Sequence, residues 1–300
     1  MNHLQCFSPT WTAYELIDSG GGRKLERFGA HTLIRPEPQA KWSPSPSESR
    51  WNSADAVFVR SADGRKGEWK FLKPLPARWK MRRAVLEFWV QPTPSGQVGL
   101  FPDQAWHWDW ISPLLQSADR ETRVLCLFGH TGLATLSAAA VGARVTHVDA
   151  SQKAIKWARD NQLLSGLQDR PIRWIVEDAQ KFIRREIQRG HKYDGLLLDP
   201  PRFGRGPSGE IWKLNQSLPV LLRRCRQLLS RSPLFVLVNT YTTVLIRDHT
   251  EKQARELRDY TSGLLVGRAA TITSGELALV DSAGRQISAS VFARAVIARK

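Results

Sequence analysis

Only three cysteines, Cys6, Cys126 and Cys225, occur in 300 residues, and none stands at a metal-ligand spacing. A disulfide framework and a thiolate metal site are therefore excluded, and a reducing compartment is implied. The seven histidines show no pattern of metal ligation either, so no metal is expected. Long hydrophobic runs are missing. The longest apolar stretch, Val124 to Ala143, is broken by Gly, His, Thr and Ser and reads as strand, loop and helix rather than as a membrane span. The opening residues MNHLQCFSPT lack the charged start and apolar core of a secretory signal. A cytoplasmic protein without a membrane partner is expected, and its oligomeric state is open.

Acidic residues are also scarce, 28 against 44 Lys and Arg, for a formal charge of +16. A field of that sign attracts phosphate backbones, with affinity gained by counterion release. The excess is local: Arg60 to Arg83 holds nine basic residues and two acids, and Arg202 to Arg231 seven and one. The summed bias favours RNA or DNA as the partner.

Against this background the segment LLLDPPRF, Leu196 to Phe203, stands out. The run Tyr193 to Leu198 suits a buried parallel strand, and Pro200 and Pro201 end it by fixing φ and removing two donors. Asp199 is left at the strand's carboxyl end, where open α/β sheets bind their ligands. Upstream, VLCLFGHTG (Val124 to Gly132) is a strand running into a glycine turn, followed by a helix of small residues. Glycines there allow close backbone approach, and a helix start offers unpaired N–H groups. The next strand, Arg144 to Val148, ends in Asp149, seventeen residues after Gly132, where a carboxylate can accept from both ribose hydroxyls. A third, Ile172 to Val176, ends in Glu177 and Asp178, and a fifth runs from Leu234 to Thr242.

This order of glycine loop, two strand-end acids, D-P-P-x-F and fifth strand resembles the class I S-adenosylmethionine (SAM)-dependent methyltransferases. Within them it is similar to the D-P-P-x-F group acting on 23S ribosomal RNA, as is VGLFPDQ, Val98 to Gln104. The resemblance implies a Rossmann-like seven-stranded α/β sheet over residues 98–300. Its SAM would be held by Phe128, Gly129, His130, Thr131 and Gly132, with Asp149 and Ala150 at the ribose. Asp178 and Ala179 would stand at the adenine, and Asp199 and Gln104 beside them. Catalytic roles fall to Asp199 as orienter of the acceptor, Phe203 as a stacking face and Asn239 at the end of strand five, with Tyr241 near it.

Methyl transfer to carbon five of a pyrimidine requires a cysteine nucleophile. No cysteine lies in the DPP motif or at the end of strand five, so a base nitrogen attacking the sulfonium methyl directly is expected. A dinucleotide oxidoreductase shares the glycine turn and ribose acid but leaves the DPP motif unexplained. A protein or small-molecule acceptor stays open, as does a non-catalytic RNA-binding protein.

Residues 1–97 differ from the rest. They hold six of the twelve tryptophans, short apolar runs such as AVFV and LEFWV, a Pro and Ser-rich stretch from Arg35 to Arg50 and a turn at GGGR. A small β-rich domain is expected, its tryptophans mostly core. At the other end, GELALV and ISASVFARAVI flank a turn and predict a terminal hairpin.

Overall fold

The structure, a computed structural model, describes residues 4–9, 11–45, 48–61, 67–241 and 247–298. Residues 46–47 of the Pro and Ser-rich stretch, 62–66 of the first basic cluster and Thr242 of the fifth strand lie outside them. The chain opens with β1 (Leu4–Phe7), β2 (Tyr14–Gly20), β3 (Arg23–Phe28) and β4 (His31–Pro36). A short helix α1 (Glu48–Asn52) precedes β5 (Ala56–Arg60), β6 (Gly67–Phe71), β7 (Trp79–Arg83) and β8 (Leu86–Val90). Alternation then sets in: α2 (Ala105–Gln116), β9 (Arg123–Leu127), α3 (Leu133–Ala140), β10 (Arg144–Asp149), α4 (Gln152–Leu164), β11 (Ile172–Val176), α5 (Ala179–Gln188) and β12 (Gly195–Leu198). A small ribbon of β13 (Phe203–Arg205) and β14 (Ile211–Lys213) leads into α6 (Leu214–Leu228), β15 (Phe235–Tyr241), α7 (Arg247–Leu264), β16 (Ala270–Val280) and β17 (Gln286–Ile297).

Two compact units divide the chain. The larger holds Met1–Cys6, Trp106–Leu277 and Ala289–Lys300; the other holds Phe7–Ala105 and Ala278–Ser288. Val98 to Gln104, expected at the head of the larger domain, thus groups with the smaller unit. The main sheet has the order β1-β16-β17-β15-β12-β9-β10-β11. Strands β11, β10, β9, β12 and β15 are mutually parallel, and β17 runs antiparallel to β15. These six strands and β16 make up the expected seven-stranded α/β sheet, with one addition. The eighth strand is β1, whose four residues carry too little periodicity to be seen in the sequence.

The two-residue period of the parallel strands sorts their side chains onto opposite faces. Leu125, Leu127, Leu196, Leu198, Val236 and Val238 pack with Phe182 and Ile183 of α5, Leu218 and Leu221 of α6 and Leu257 of α7. The alternate residues Val124, Cys126, Leu197, Phe235 and Leu237 pack with Ile111 and Leu115 of α2 and Ala138 and Ala139 of α3. Strands buried on both faces explain why these runs are continuously apolar. Ser151 begins α4 by accepting from the Ala154 N–H at 3.2 Å. Ser151→Ala is expected to cost about 1 kcal/mol in a urea unfolding titration, the usual worth of an N-cap.

In the smaller unit, β2 to β6 form a five-stranded sheet and β7 pairs with β8. Gly21 and Gly22 turn between β2 and β3 at φ of +57° and +73°, a conformation that glycine adopts without penalty. Its tryptophans are tied internally. The indole N–H groups of Trp11, Trp42, Trp51, Trp69 and Trp79 donate to Arg82 O, Ser19 O, Asp18 Oδ2, Thr93 O and Phe28 O at 2.7–2.9 Å. These rings serve packing of the unit, with their polar edges satisfied.

Candidate active site

From β9 the chain proceeds to β10 and β11 on one side, while β12 and β15 lie on the other. Connections that diverge in this way open a crevice at the carboxyl end of β9. The loop Phe128 to Gly132 fills that position. Its backbone is unusual: Phe128 and His130 have φ of +59° and +47°, which cost energy for residues with a Cβ and cluster at functional sites. Several ties hold it there. The His130 N–H donates to Asp149 Oδ2 at 2.9 Å, and the Phe128 ring lies 4.8 Å from that of Trp212. Gly132, at φ +85°, starts α3 in the left-handed region, where a Cβ would come 2.8 Å from that of Ala158. At Gly129 a Cβ would collide with the His147 ring. That ring is fixed by Thr135 Oγ1 at 2.8 Å, and burial pushes its pKa down to about 3, so it is a neutral wall beneath the loop.

The expected acids stand at successive strand ends. Asp149 closes β10 and accepts from the N–H of His130 and, through Oδ1, from that of Ser151 at 2.8 Å. A carboxylate has about four lone-pair sites, so two bonds leave capacity for a diol. Ala150 follows in the turn before α4. Asp178 caps α5 by accepting from Lys181 N–H at 2.9 Å, and Ala179 is the first residue of that helix, whose N–H has no acceptor within it. Thr131 is buried, its carbonyl accepting from Asn161 Nδ2 at 2.9 Å.

Asp199 follows β12, with its N–H on Leu127 O at 3.3 Å. Its Oδ1 accepts from Asn239 Nδ2 at 2.8 Å, and Asn239 Oδ1 lies 3.3 Å from His107 Nε2. Both Asn239 and His107 are 1% exposed. Phe203 begins the ribbon that follows and is 56% exposed, opposite Lys213, with Ile211 59% exposed nearby. Trp212 anchors this ribbon by donating to Pro201 O at 2.6 Å. Tyr241 ends β15 half-buried. Gln104 belongs to the smaller unit, with its Nε2 on Asp103 Oδ2 at 3.3 Å, and the other candidates belong to the larger.

The three thiols are buried and unpaired with one another. Burial pushes Cys126 and Cys225 up to about 12 and Cys6 up to about 11, so none is a thiolate at neutral pH. Among the described residues no group of three or more His, Cys, Asp or Glu is placed to hold a metal ion, and no helix is long and apolar enough to cross a membrane.

No protein-family model matches the chain. A crystal structure of the SAM-dependent methyltransferase from Agrobacterium tumefaciens is 41% identical, with a TM-score of 0.90 over 98% of this chain and 93% of that one. The chain belongs to the SAM-dependent methyltransferases. Among curated relatives, the ribosomal RNA large subunit methyltransferase K/L of Shewanella baltica is 40% identical over 91 residues, 30% of this chain and 12% of its own length. The ribosomal RNA large subunit methyltransferase I of Klebsiella pneumoniae is 39% identical over 84 residues, 28% of this chain and 21% of its own. This methyltransferase therefore spans only about an eighth and a fifth of the length of these two curated relatives.

The donor set of the methyltransferase suits SAM. Adenosine offers a diol and an exocyclic amine as donors, and the crevice presents carboxylates at the ends of β10 and β11, about 5 and 10 Å along the sheet from β9 at ordinary strand spacing. Residues absent from the sequence reading are His107, Trp212 and the Thr135–His147 pair. A single histidine within the tryptophan-rich AWHWDW carries no motif, and Trp212 lies nine residues beyond Phe203 with nothing to link it to the glycine loop.

Proposed function

We propose that the protein transfers the methyl of SAM to a base nitrogen of RNA, in particular ribosomal RNA, by direct displacement. The observation that carries this reading is the Asp199 carboxylate, held by Asn239 at the carboxyl end of β12 and followed within four residues by the exposed ring of Phe203. Bound SAM supplies an electrophilic methyl on a sulfonium. Phe128, Gly129, His130, Thr131 and Gly132 hold it at the crevice, with Asp149 and Ala150 at the ribose and Asp178 and Ala179 at the adenine. Gln104 is assigned to the cofactor by the sequence resemblance alone.

An extruded base stacks on Phe203. Asp199 accepts a hydrogen bond from its N–H, so turns the nitrogen lone pair toward the methyl, and its carboxylate takes the proton that the methylated nitrogen gives up, while Asn239 keeps the carboxylate in place. Arg202, Arg205 and Lys213 are exposed on or beside the ribbon that bears Phe203, where cations meet a phosphate backbone. The names of the curated relatives and the charge of +16 support RNA as acceptor. Three free thiols suit the cytoplasm. The direct test is transfer of labelled methyl from SAM to RNA of a strain lacking the gene. Incorporation into RNA from that strain, and little into RNA from its parent, is expected; incorporation only into protein would reject the reading.

No enzyme adduct forms on this route, because every thiol is buried and protonated. Cys126→Ser with Cys225→Ser is expected to leave kcat within about twofold once stability is matched. A covalent complex trapped on 5-fluoropyrimidine RNA would contradict it. Phe203→Ala is expected to raise the KM for RNA about tenfold, the worth of one stacked base, and to leave SAM binding by calorimetry unchanged.

A further inference from the structure

His107 lies on α2, 92 residues before Asp199, yet it ends a hydrogen-bonded chain that starts at Asp199. We propose that His107 is a positioning residue that, through the Asn239 amide, fixes the Asp199 carboxylate for the methyl acceptor. The proposal rests on the reading of Asp199 as the group that orients that acceptor.

The direction of the chain follows from donor and acceptor counting. An ionised Asp199 accepts only, so Asn239 must turn Nδ2 toward it, as found at 2.8 Å. Asn239 Oδ1 then faces His107 Nε2 at 3.3 Å, and since that oxygen only accepts, Nε2 must carry the proton. The ring is neutral: burial pushes His107 down to about 3, and the nearby Arg294 cation adds to this. A neutral imidazole with its proton on Nε2 has a bare Nδ1, and Nδ1 is buried with no partner among the described residues. The tautomer is therefore set by Asn239 alone.

The surroundings allow little else. The His107 ring meets Phe292 edge-on at 5.2 Å and Trp106 at 5.9 Å, and Arg294 is stacked 3.6 Å over Trp106. A leucine would fill this apolar slot without the cost of desolvating an imidazole. What leucine lacks is the N–H that holds Asn239 Oδ1 and so stops the amide from swinging Nδ2 off the carboxylate.

Two measurements decide the matter. In protein with 15N-labelled histidine, His107 is assigned by its loss in His107→Leu, and long-range 15N–1H correlations read its tautomer. The proton is expected on Nε2; a proton on Nδ1 with bare Nε2 would overturn the proposal. Methyl transfer from SAM to RNA of the deletion strain gives the second readout. His107→Leu is expected to lower kcat about tenfold with the Kd for SAM unchanged, and His107→Gln, whose amide restores a donor, to recover most of it. In an Asn239→Leu background His107→Leu should have no further effect. An undiminished kcat in His107→Leu, equal losses in the Leu and Gln variants, or a tenfold loss that persists without Asn239 would each overturn it. If the wild-type protein transfers no methyl to RNA, the function reading fails on its own and the tautomer alone decides the role of His107.

Discussion

Asp199→Ala is expected to lower kcat on RNA by on the order of 10², the loss that follows when one positioning contact is removed from a transition state. The Kd for SAM, measured by calorimetry, should change little, because Asp199 stands at β12 while the adenosine acids stand on β10 and after β11. Such a split between turnover and binding marks an interaction made chiefly in the transition state. Asp199→Asn is the finer probe. The amide keeps an acceptor oxygen but loses charge, so partial activity would indicate that geometry dominates, and near-complete loss that a carboxylate is required. Wild-type turnover in Asp199→Ala would reduce the DPP motif to a stiffened strand end.

Asp149→Ala is expected to weaken SAM binding by about 10- to 100-fold, since charge-assisted hydrogen bonds are each worth about 1.5 to 3 kcal/mol. The structure adds a reason beyond the ribose. Both carboxylate oxygens of Asp149 hold backbone N–H groups, one from His130 in the glycine loop and one from Ser151 ahead of α4. Removing them frees a loop whose Phe128 and His130 sit at positive φ, so the cradle loses order as well as a direct contact. Asp149→Asn should recover only part of the affinity, because an amide offers a single acceptor oxygen to donors that converge on two. Unchanged calorimetry in Asp149→Ala would exclude this carboxylate from the cofactor site.

The parallel strands were legible because burial on both faces leaves continuous apolar runs, and Pro200 and Pro201 marked the end of one of them without ambiguity. The strand-end acids followed from the same fact: once a strand stops, the first carboxylate beyond it stands at the ligand edge. By contrast, β1 escaped notice since four residues cannot display a period, and β13 with β14 did so since three-residue strands around Gly206 and Gly209 read as loop. Nothing in AWHWDW indicates that His107, among three tryptophans, meets Asn239 across 132 residues of chain. Such tertiary contacts depend on the packing of α2 on the sheet, which leaves no local spacing to read. The grouping of Val98 to Gln104 with the smaller unit had the same cause, for it is fixed by long-range contacts and not by composition.

The central claim is that a base nitrogen of RNA receives the methyl. Nucleoside mass spectrometry of total RNA from a deletion strain and its parent tests it most directly. The expected result is the loss, in the deletion strain, of one N-methylated nucleoside, restored by the wild-type gene and not by the Asp199→Ala form. Identical nucleoside profiles in the two strains, or the loss of a 5-methylpyrimidine in place of an N-methylated base, would contradict it.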